Sequence, residues 1–423
     1  MKKDKFIIQG LGGEKTLSGK IRVNGAKNAV LPVMASSVLF QDGFILENIP
    51  NIEDIHRMEE IFGSLGIKLF QIGEGVYEID SSSCNNFKID EDAAKRMRAA
   101  VIFMGPVLAR FGKLVSPHPG GCVIGSRPID FFLEGFKKMG VKYEWKDEKY
   151  YMEVAGGKLK GAEIFFKVPS VTATEAFILA GILAEGKTIL KNVAMEPEIM
   201  DLIEFLNSCG AKISGGGSPI IEIEGGELLR SNGKRYRTMP DRLETGSFLI
   251  LGALCASDLE ITHCRPKDLE IIIEVLRDAG VEMKVGIDSI RVNNKNIKNY
   301  KSFNIKTHEY PGFPTDLQSP MLVFLTQTQG EALVFETIFE GRLNYTEDLQ
   351  KMGADIKMWD SNRVTVKGPT PLKGRELDGP DIRSGFAFVI AGLVAKKESI
   401  INNVYYIDRG YESIEKRLEK NRS

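Results

Sequence analysis

EPEIMDLIEFLNSCGAKI, residues 196–213, reads as an amphipathic helix that ends at Gly210 and turns into a short apolar strand. Glycine at that point suits the left-handed residue that caps a helix C-terminus. The same ending recurs as FGSLGIKL (62–69), FKKMGVKY (136–143), LRDAGVEM (276–283) and LQKMGADI (349–356). The closing glycines, Gly66, Gly140, Gly210, Gly280 and Gly353, are spaced 74, 70, 70 and 73 residues apart. A period of this kind marks one structural unit used repeatedly. A further step of 70 from Gly353 reaches residue 423, so a sixth copy stops before its closing strands.

Working outward from these endings, each unit holds a strand, an apolar helix, a second strand, an amphipathic helix and a β-hairpin. The apolar helices read AVLPVMASSVL, AAVIFMGPVLARFG, EAFILAGILAEG, GSFLILGALCASD, LQSPMLVFLTQTQG and GFAFVIAGLVAKK. They are apolar almost all round, which predicts burial on every side. The strand of FIIQGLGGEKTLSGKIRV resembles the tails of other units and replaces what the sixth lacks, so the N-terminus packs with the C-terminal half. The expectation is an α/β protein of six βαβαββ units in two three-unit domains. One spans residues 27–236; the other joins residues 1–26 to 237–423. Two chain crossings, near Lys20–Lys27 and Arg230–Tyr236, predict hinge closure over a ligand held between the domains. The alternative is a rigid repeat scaffold.

Composition narrows the function. The chain carries 56 basic and 57 acidic residues, a net charge of −1, which argues against a general nucleic-acid or membrane surface. No apolar run is long enough for a signal peptide or a membrane helix. Five scattered cysteines (Cys84, Cys122, Cys209, Cys255, Cys264) speak against a disulfide framework, and the expectation is a cytoplasmic protein. The four histidines show no metal-ligand spacing. Gly10–Thr16 has the flavour of a phosphate loop, but Glu14 stands where that loop needs glycine.

The polar residues that begin the six apolar helices occupy equivalent places. They are Gly25-Ala26-Lys27-Asn28, Arg96-Met97-Arg98, Pro169-Ser170-Val171-Thr172, Asp241-Arg242-Leu243-Glu244, Pro314-Thr315-Asp316 and Asp381-Ile382-Arg383. Helix N-termini favour anions, and Lys27, Arg98 and Arg383 would add full charges. The loop Ser116–Asp130 is an insertion carrying Cys122 and Arg127; a thiol beside a cation can act as acid, base or nucleophile. Its counterpart in unit six is the loop Ile407-Asp408-Arg409-Gly410, which makes Arg409 a further anion ligand.

Gly25-Ala26-Lys27-Asn28-Ala29, Pro119-Gly120-Gly121-Cys122, Gly125-x-Arg127-Pro128-x-Asp130, Phe313-Pro314-Thr315-Asp316 and Ile407-Asp408-Arg409-Gly410-Tyr411-Glu412, together and in order, resemble the UDP-N-acetylglucosamine 1-carboxyvinyltransferase family of enolpyruvyl transferases. The resemblance runs from about Phe6 to Leu418. It implies an inside-out α/β barrel fold with the active site in the interdomain cleft. It also implies phosphoenolpyruvate and UDP-N-acetylglucosamine as substrates, with no metal or organic cofactor. Lys27 and Asn28 match the phosphoenolpyruvate-binding pair. Cys122 matches the proton donor that fosfomycin alkylates in this family. Arg127, Arg383 and Arg409 match the arginines that grip phosphate and carboxylate, and Asp316 matches the carboxylate near the sugar hydroxyl. Arg98, Pro128, Ile129, Asp130, Phe131, Val168, Pro169, Ser170, Val171 and Ile338 match the UDP-sugar side. Thr172, which replaces a common glycine, and Pro117-His118, which replaces the more usual pair, depart from the pattern. Two rivals stand beside this reading, a transferase for another nucleoside or sugar acceptor and a non-catalytic UDP-sugar binder.

Overall fold

The computed structural model describes residues 5–120, 129–294 and 299–421. Within them, residues 25–120 and 129–239 form one compact half, here called internal. Residues 5–24, 240–294 and 299–421 form the other, terminal half.

Each repeat builds one small sheet around the strand that follows its apolar helix. In repeat three that strand, Lys187–Lys191, pairs antiparallel with Ile220–Glu224 and parallel with Glu163–Phe165. In repeat four, Ala256–Thr262 pairs antiparallel with Ser289–Val292 and parallel with Leu17–Arg22. Two parallel partners come from far along the chain. Arg235–Arg237 returns to Gly43–Glu47 of repeat one, with Arg235 opposite Ile45. Leu17–Arg22 does the same for repeat four, with Gly19 opposite Leu259. Phe6–Gln9 also pairs antiparallel with Glu398–Asn402 of repeat six. Each half is thus closed on itself by strand pairing.

The apolar helices are the core of each half. All fourteen residues of Arg242–Cys255 are buried, as are all eight of Gln318–Leu325, and so is the run Arg383–Val394. In the internal half the equivalents are Lys27–Ser36, Met104–Phe111 and Val171–Gly181. The second helices bury one face only. Glu53–Leu65 buries Asp54, Ile55, Met58, Ile61, Phe62 and Leu65, which share one helical face. The five repeat glycines all take positive φ, between 81° and 104°, a region that costs side-chain-bearing residues strain.

The Gly10–Thr16 loop serves the fold. Leu11 and Gly12 donate backbone N–H to Leu393 O (2.7 Å) and Ala395 O (3.0 Å), satisfying carbonyls at the end of helix Ile382–Val394. Lys15 hydrogen-bonds the Tyr300 hydroxyl at 2.5 Å, and that hydroxyl donates to Ala253 O near the end of helix Arg242–Cys255. One expectation changes. Ile407 and Asp408 lie in a short helix, Val404–Asp408, not in a loop. Asn403, at φ 59°, turns the chain abruptly out of strand Glu398–Asn402, leaving no loop between them.

Candidate active site

In the terminal half the starts of the apolar helices carry a connected polar cluster. Asp241 caps helix Arg242–Cys255 by accepting from the N–H groups of Leu243 (2.8 Å) and Glu244 (3.0 Å). Asp381 does the same for Ile382–Val394, accepting from Arg383 N (2.8 Å) and Ser384 N (3.2 Å). Asp316 lies in the single turn Thr315–Leu317 that leads into Gln318–Leu325.

Asp316 is held between two buried arginines. Arg342 Nη2 donates to Oδ1 at 2.8 Å and Arg383 Nε to Oδ2 at 3.2 Å. The arginine side chains are 3% and 5% exposed, whereas Asp316 keeps 28%, so the carboxylate is the accessible member. Burial alone would lower the pKa of Arg383, but Tyr411, Asp316 and Asp241 raise it above its ordinary value. Burial likewise opposes the charge on Arg342, and Asp316, Asp381 and Glu336 outweigh it. Two full positive charges therefore flank Asp316, Arg383 from a helix start and Arg342 from the turn 341–345, in a low-dielectric setting that strengthens their pull on an anion. Removing one partner of such a set costs about 3–5 kcal/mol, because it strands a buried charge.

Arg383 also lies over the Tyr411 ring, 5.4 Å from its centroid, and the Tyr411 hydroxyl is 2.8 Å from Ser247 Oγ. Arg409 directly follows helix Val404–Asp408 and is 6% exposed. Ile338 is half-buried, and its N–H donates to Glu336 Oε1 at 2.8 Å. Sequence reasoning missed Arg342 and Glu336. The signal available was thin: Glu336 ends the apolar run Ala332–Phe335, and Arg342 sits two residues beyond Glu340. A charged residue in such a place is usually solvated.

In the internal half Lys27 opens helix Lys27–Ser36 and Asn28 follows it, both half-buried. Lys27 Nζ lies 2.9 Å from Asp54 Oδ2, a carboxylate only 2% exposed. Arg98 opens the 3₁₀ turn Arg98–Phe103 and donates to Pro119 O at 3.3 Å. Ile129 is buried, while Asp130 is exposed at the first turn of helix Asp130–Lys138. Phe131 meets the Phe166 ring edge-on at 4.8 Å. Val168 is exposed, Pro169 and Val171 are half-buried, and Ser170 caps its helix through Ala173 N at 3.4 Å. Cys122, Arg127 and Pro128 lie outside the described residues. The remaining cysteines are free and buried. Among the described residues no cluster of three or more His, Cys, Asp or Glu is arranged to hold a metal ion, and no helix is long and apolar enough to cross a membrane.

Behind Ser170, helix Val171–Gly181 buries Glu175. Burial, then the neighbouring Glu198 and Glu196, pushes its pKa well above the carboxylate range. The fold therefore keeps a proton that the unfolded chain has lost. Stability from this group is full below the unfolded pKa of about 4.3 and declines as pH rises toward the folded value. Glu175→Gln is expected to melt above wild type at pH 8, with the difference vanishing near pH 4. Thermal melts across that range check it, and parallel curves would refute it.

The EPSP synthase family (3-phosphoshikimate 1-carboxyvinyltransferase) matches residues 11–418. Similar proteins include the UDP-N-acetylglucosamine 1-carboxyvinyltransferase of Shewanella sp. (strain W3-18-1). It is 40% identical over 416 residues, covering 98% of this chain and 97% of that protein. The enzyme of the same name from Thermodesulfovibrio yellowstonii is 39% identical over 415 residues, with the same shares covered. Among solved structures, the enolpyruvyl transferase NikO from Streptomyces tendae superposes with a TM-score of 0.88 at 21% identity, covering 99% of this chain and 98% of that one. EPSP synthase from Acinetobacter baumannii gives 0.72 at 16% identity over the same shares. At those identities the two structures speak for the fold, which is the two-domain α/β fold of enolpyruvyl transferases.

Proposed function

The chain belongs to the EPSP synthase family, and we propose from that premise that it transfers the enolpyruvyl group of phosphoenolpyruvate to the 3-hydroxyl of UDP-N-acetylglucosamine, releasing phosphate. This is the first committed step of peptidoglycan synthesis. The observation that carries the mechanism is Asp316, a partly exposed carboxylate pinned between two buried arginines.

The sugar oxygen adds to the central carbon of phosphoenolpyruvate while its methylene carbon gains a proton. Phosphate then leaves and the same methyl carbon gives a proton back, restoring the double bond. Asp316 takes the hydroxyl proton and Cys122 supplies the carbon-bound one. Each such acid–base step is worth about 10²–10⁴-fold. Lys27, Asn28, Arg127, Arg383 and Arg409 hold phosphate and carboxylate, and preorganised charge of this kind is usually the larger contribution. Arg98, Pro128, Ile129, Asp130, Phe131, Val168–Val171 and Ile338 receive the UDP-sugar. Both substrates are cytoplasmic metabolites, and the reaction is placed there.

The test is phosphate release from phosphoenolpyruvate with and without UDP-N-acetylglucosamine. Acceptor-dependent release is expected. Release only with a different nucleoside acceptor would replace the proposed substrate, and tight UDP-sugar binding with no turnover on any acceptor would replace catalysis by binding. Fosfomycin is expected to inactivate the protein through one adduct on Cys122, absent in Cys122→Ala by mass spectrometry. Full activity after treatment would remove Cys122 from the reaction.

A further inference from the structure

Glu336 is fully buried, yet the reaction as proposed gives it no part. Four donors converge on its carboxylate. Oε1 accepts from Thr307 Oγ1 (3.0 Å), Ile338 N (2.8 Å) and Phe339 N (3.2 Å). Oε2 accepts from Thr315 Oγ1 at 2.8 Å. In all four contacts the carboxylate is the acceptor.

That fixes the direction of every hydrogen bond that follows. Thr315 has one hydroxyl proton, and Glu336 takes it. The lone pairs of Thr315 Oγ1 then face Arg342, whose Nη1 donates to it at 2.8 Å. The same guanidinium turns Nη2 to Asp316. Arg342 has other carboxylates within electrostatic reach, Asp381 and Glu336, so its attachment to Asp316 is a choice that something must enforce. The turn pinned by Glu336 contributes a second brace, since the Phe339 ring lies 5.4 Å from the Arg342 guanidinium carbon.

We propose that Glu336 and Thr315 are positioning residues, forming a one-way relay Glu336–Thr315–Arg342 that holds Arg342 on Asp316 and so keeps Asp316 an unprotonated base. The inference rests on the proposed reaction, in which Asp316 takes the hydroxyl proton. The charged and titratable groups around the relay are Arg342 and Arg383 facing Asp316, with Asp381, Glu336 and Tyr345 around Arg342. Asp241 and Tyr411 bear on Arg383 as well.

The experiment is the pH–rate profile of purified Thr315→Val and Thr315→Ser, with kcat and KM for both substrates. An opposite charge in contact lowers a carboxyl pKa by about 1–3 units. Loosening that contact in Thr315→Val is expected to move the acid limb of kcat upward by about one pH unit, with KM within about twofold of wild type. Thr315→Ser, which retains the hydroxyl, is expected to restore the limb. Glu336→Gln is the second variant: its amide nitrogen in place of Oε2 would donate to Thr315 and reverse the hydroxyl, moving the limb the same way. An unmoved limb in Thr315→Val and Glu336→Gln, or an equal shift in Thr315→Ser, would overturn the relay. Asp316→Asn separates the two ideas. Near-normal turnover in that variant would sink Asp316 as the base, and the relay with it; a dead Asp316→Asn beside an unmoved Thr315→Val limb would sink the relay alone.

Discussion

Asp316→Asn is expected to lower kcat by about 10²–10⁴-fold, the range lost when a general base is removed. The substitution preserves size and one acceptor oxygen but brings an amide N–H against either Arg342 or Arg383, both of which only donate. Two buried guanidinium groups then share a single neutral acceptor. The variant should also lose about 3–5 kcal/mol of stability, because the two buried guanidinium charges lose the carboxylate that pairs them. KM for phosphoenolpyruvate is expected to change far less than kcat, because both arginines and their charges remain. Steady-state kinetics with a thermal melt of the same preparation checks this. A variant that folds normally and turns over at more than half the wild-type rate would refute the role.

The second large effect concerns packing. Gly105→Ala is expected to destabilise the chain by about 3 kcal/mol, at the upper end of typical overpacking. A Cβ at Gly105 would lie 1.9 Å from the Ala176 carbonyl oxygen and 2.8 Å from its carbon. Both are backbone atoms of the neighbouring buried helix Val171–Gly181, so no side chain can swing aside. The two helices would have to separate, disturbing the supports of Arg98 and Ser170. Gly63→Ala offers the opposite sign. Gly63 lies on the exposed face of helix Glu53–Leu65 with nothing within 4 Å of a new Cβ, and alanine there should stabilise by about 0.5–1 kcal/mol. Urea denaturation of the two variants decides both; equal midpoints would show that helix contact does not set the tolerance at Gly105.

Much of the architecture is legible before any coordinate. The closing glycines announce the helix ends, and all five adopt the left-handed backbone that their position requires. The apolar helices announce their burial because no polar face is available to meet water. The site is legible only in part. Asp316 and Arg383 could be named from motif resemblance, but the 3.2 Å contact between them joins residues 67 positions apart. Arg342 and Glu336 left no usable mark, since a buried charge and a solvated one have the same letter. The same holds for Asp54 in the first turn of helix Glu53–Leu65, the buried partner of Lys27. The Gly10–Thr16 loop, which Glu14 already disqualifies as a phosphate loop, gets its role only from tertiary contacts. Its glycines resemble a phosphate cradle, yet Gly10 is there because a Cβ would sit 2.0 Å from Ala395 O.

Sequence by itself determined the period of the repeat, the buried and half-buried helices, and the family whose motifs lie in register along the chain. These depend on local rules: glycine's freedom at positive φ, the pitch of a helix, and the order of residues along one strand of chain. Tertiary structure alone decided the register in which strands close each half, why Gly105 and Gly63 tolerate alanine so differently, and which arginines hold Asp316. Those outcomes turn on distances between residues far apart in the chain. Packing, desolvation and hydrogen-bond direction act only at contact, so no local pattern could have announced them.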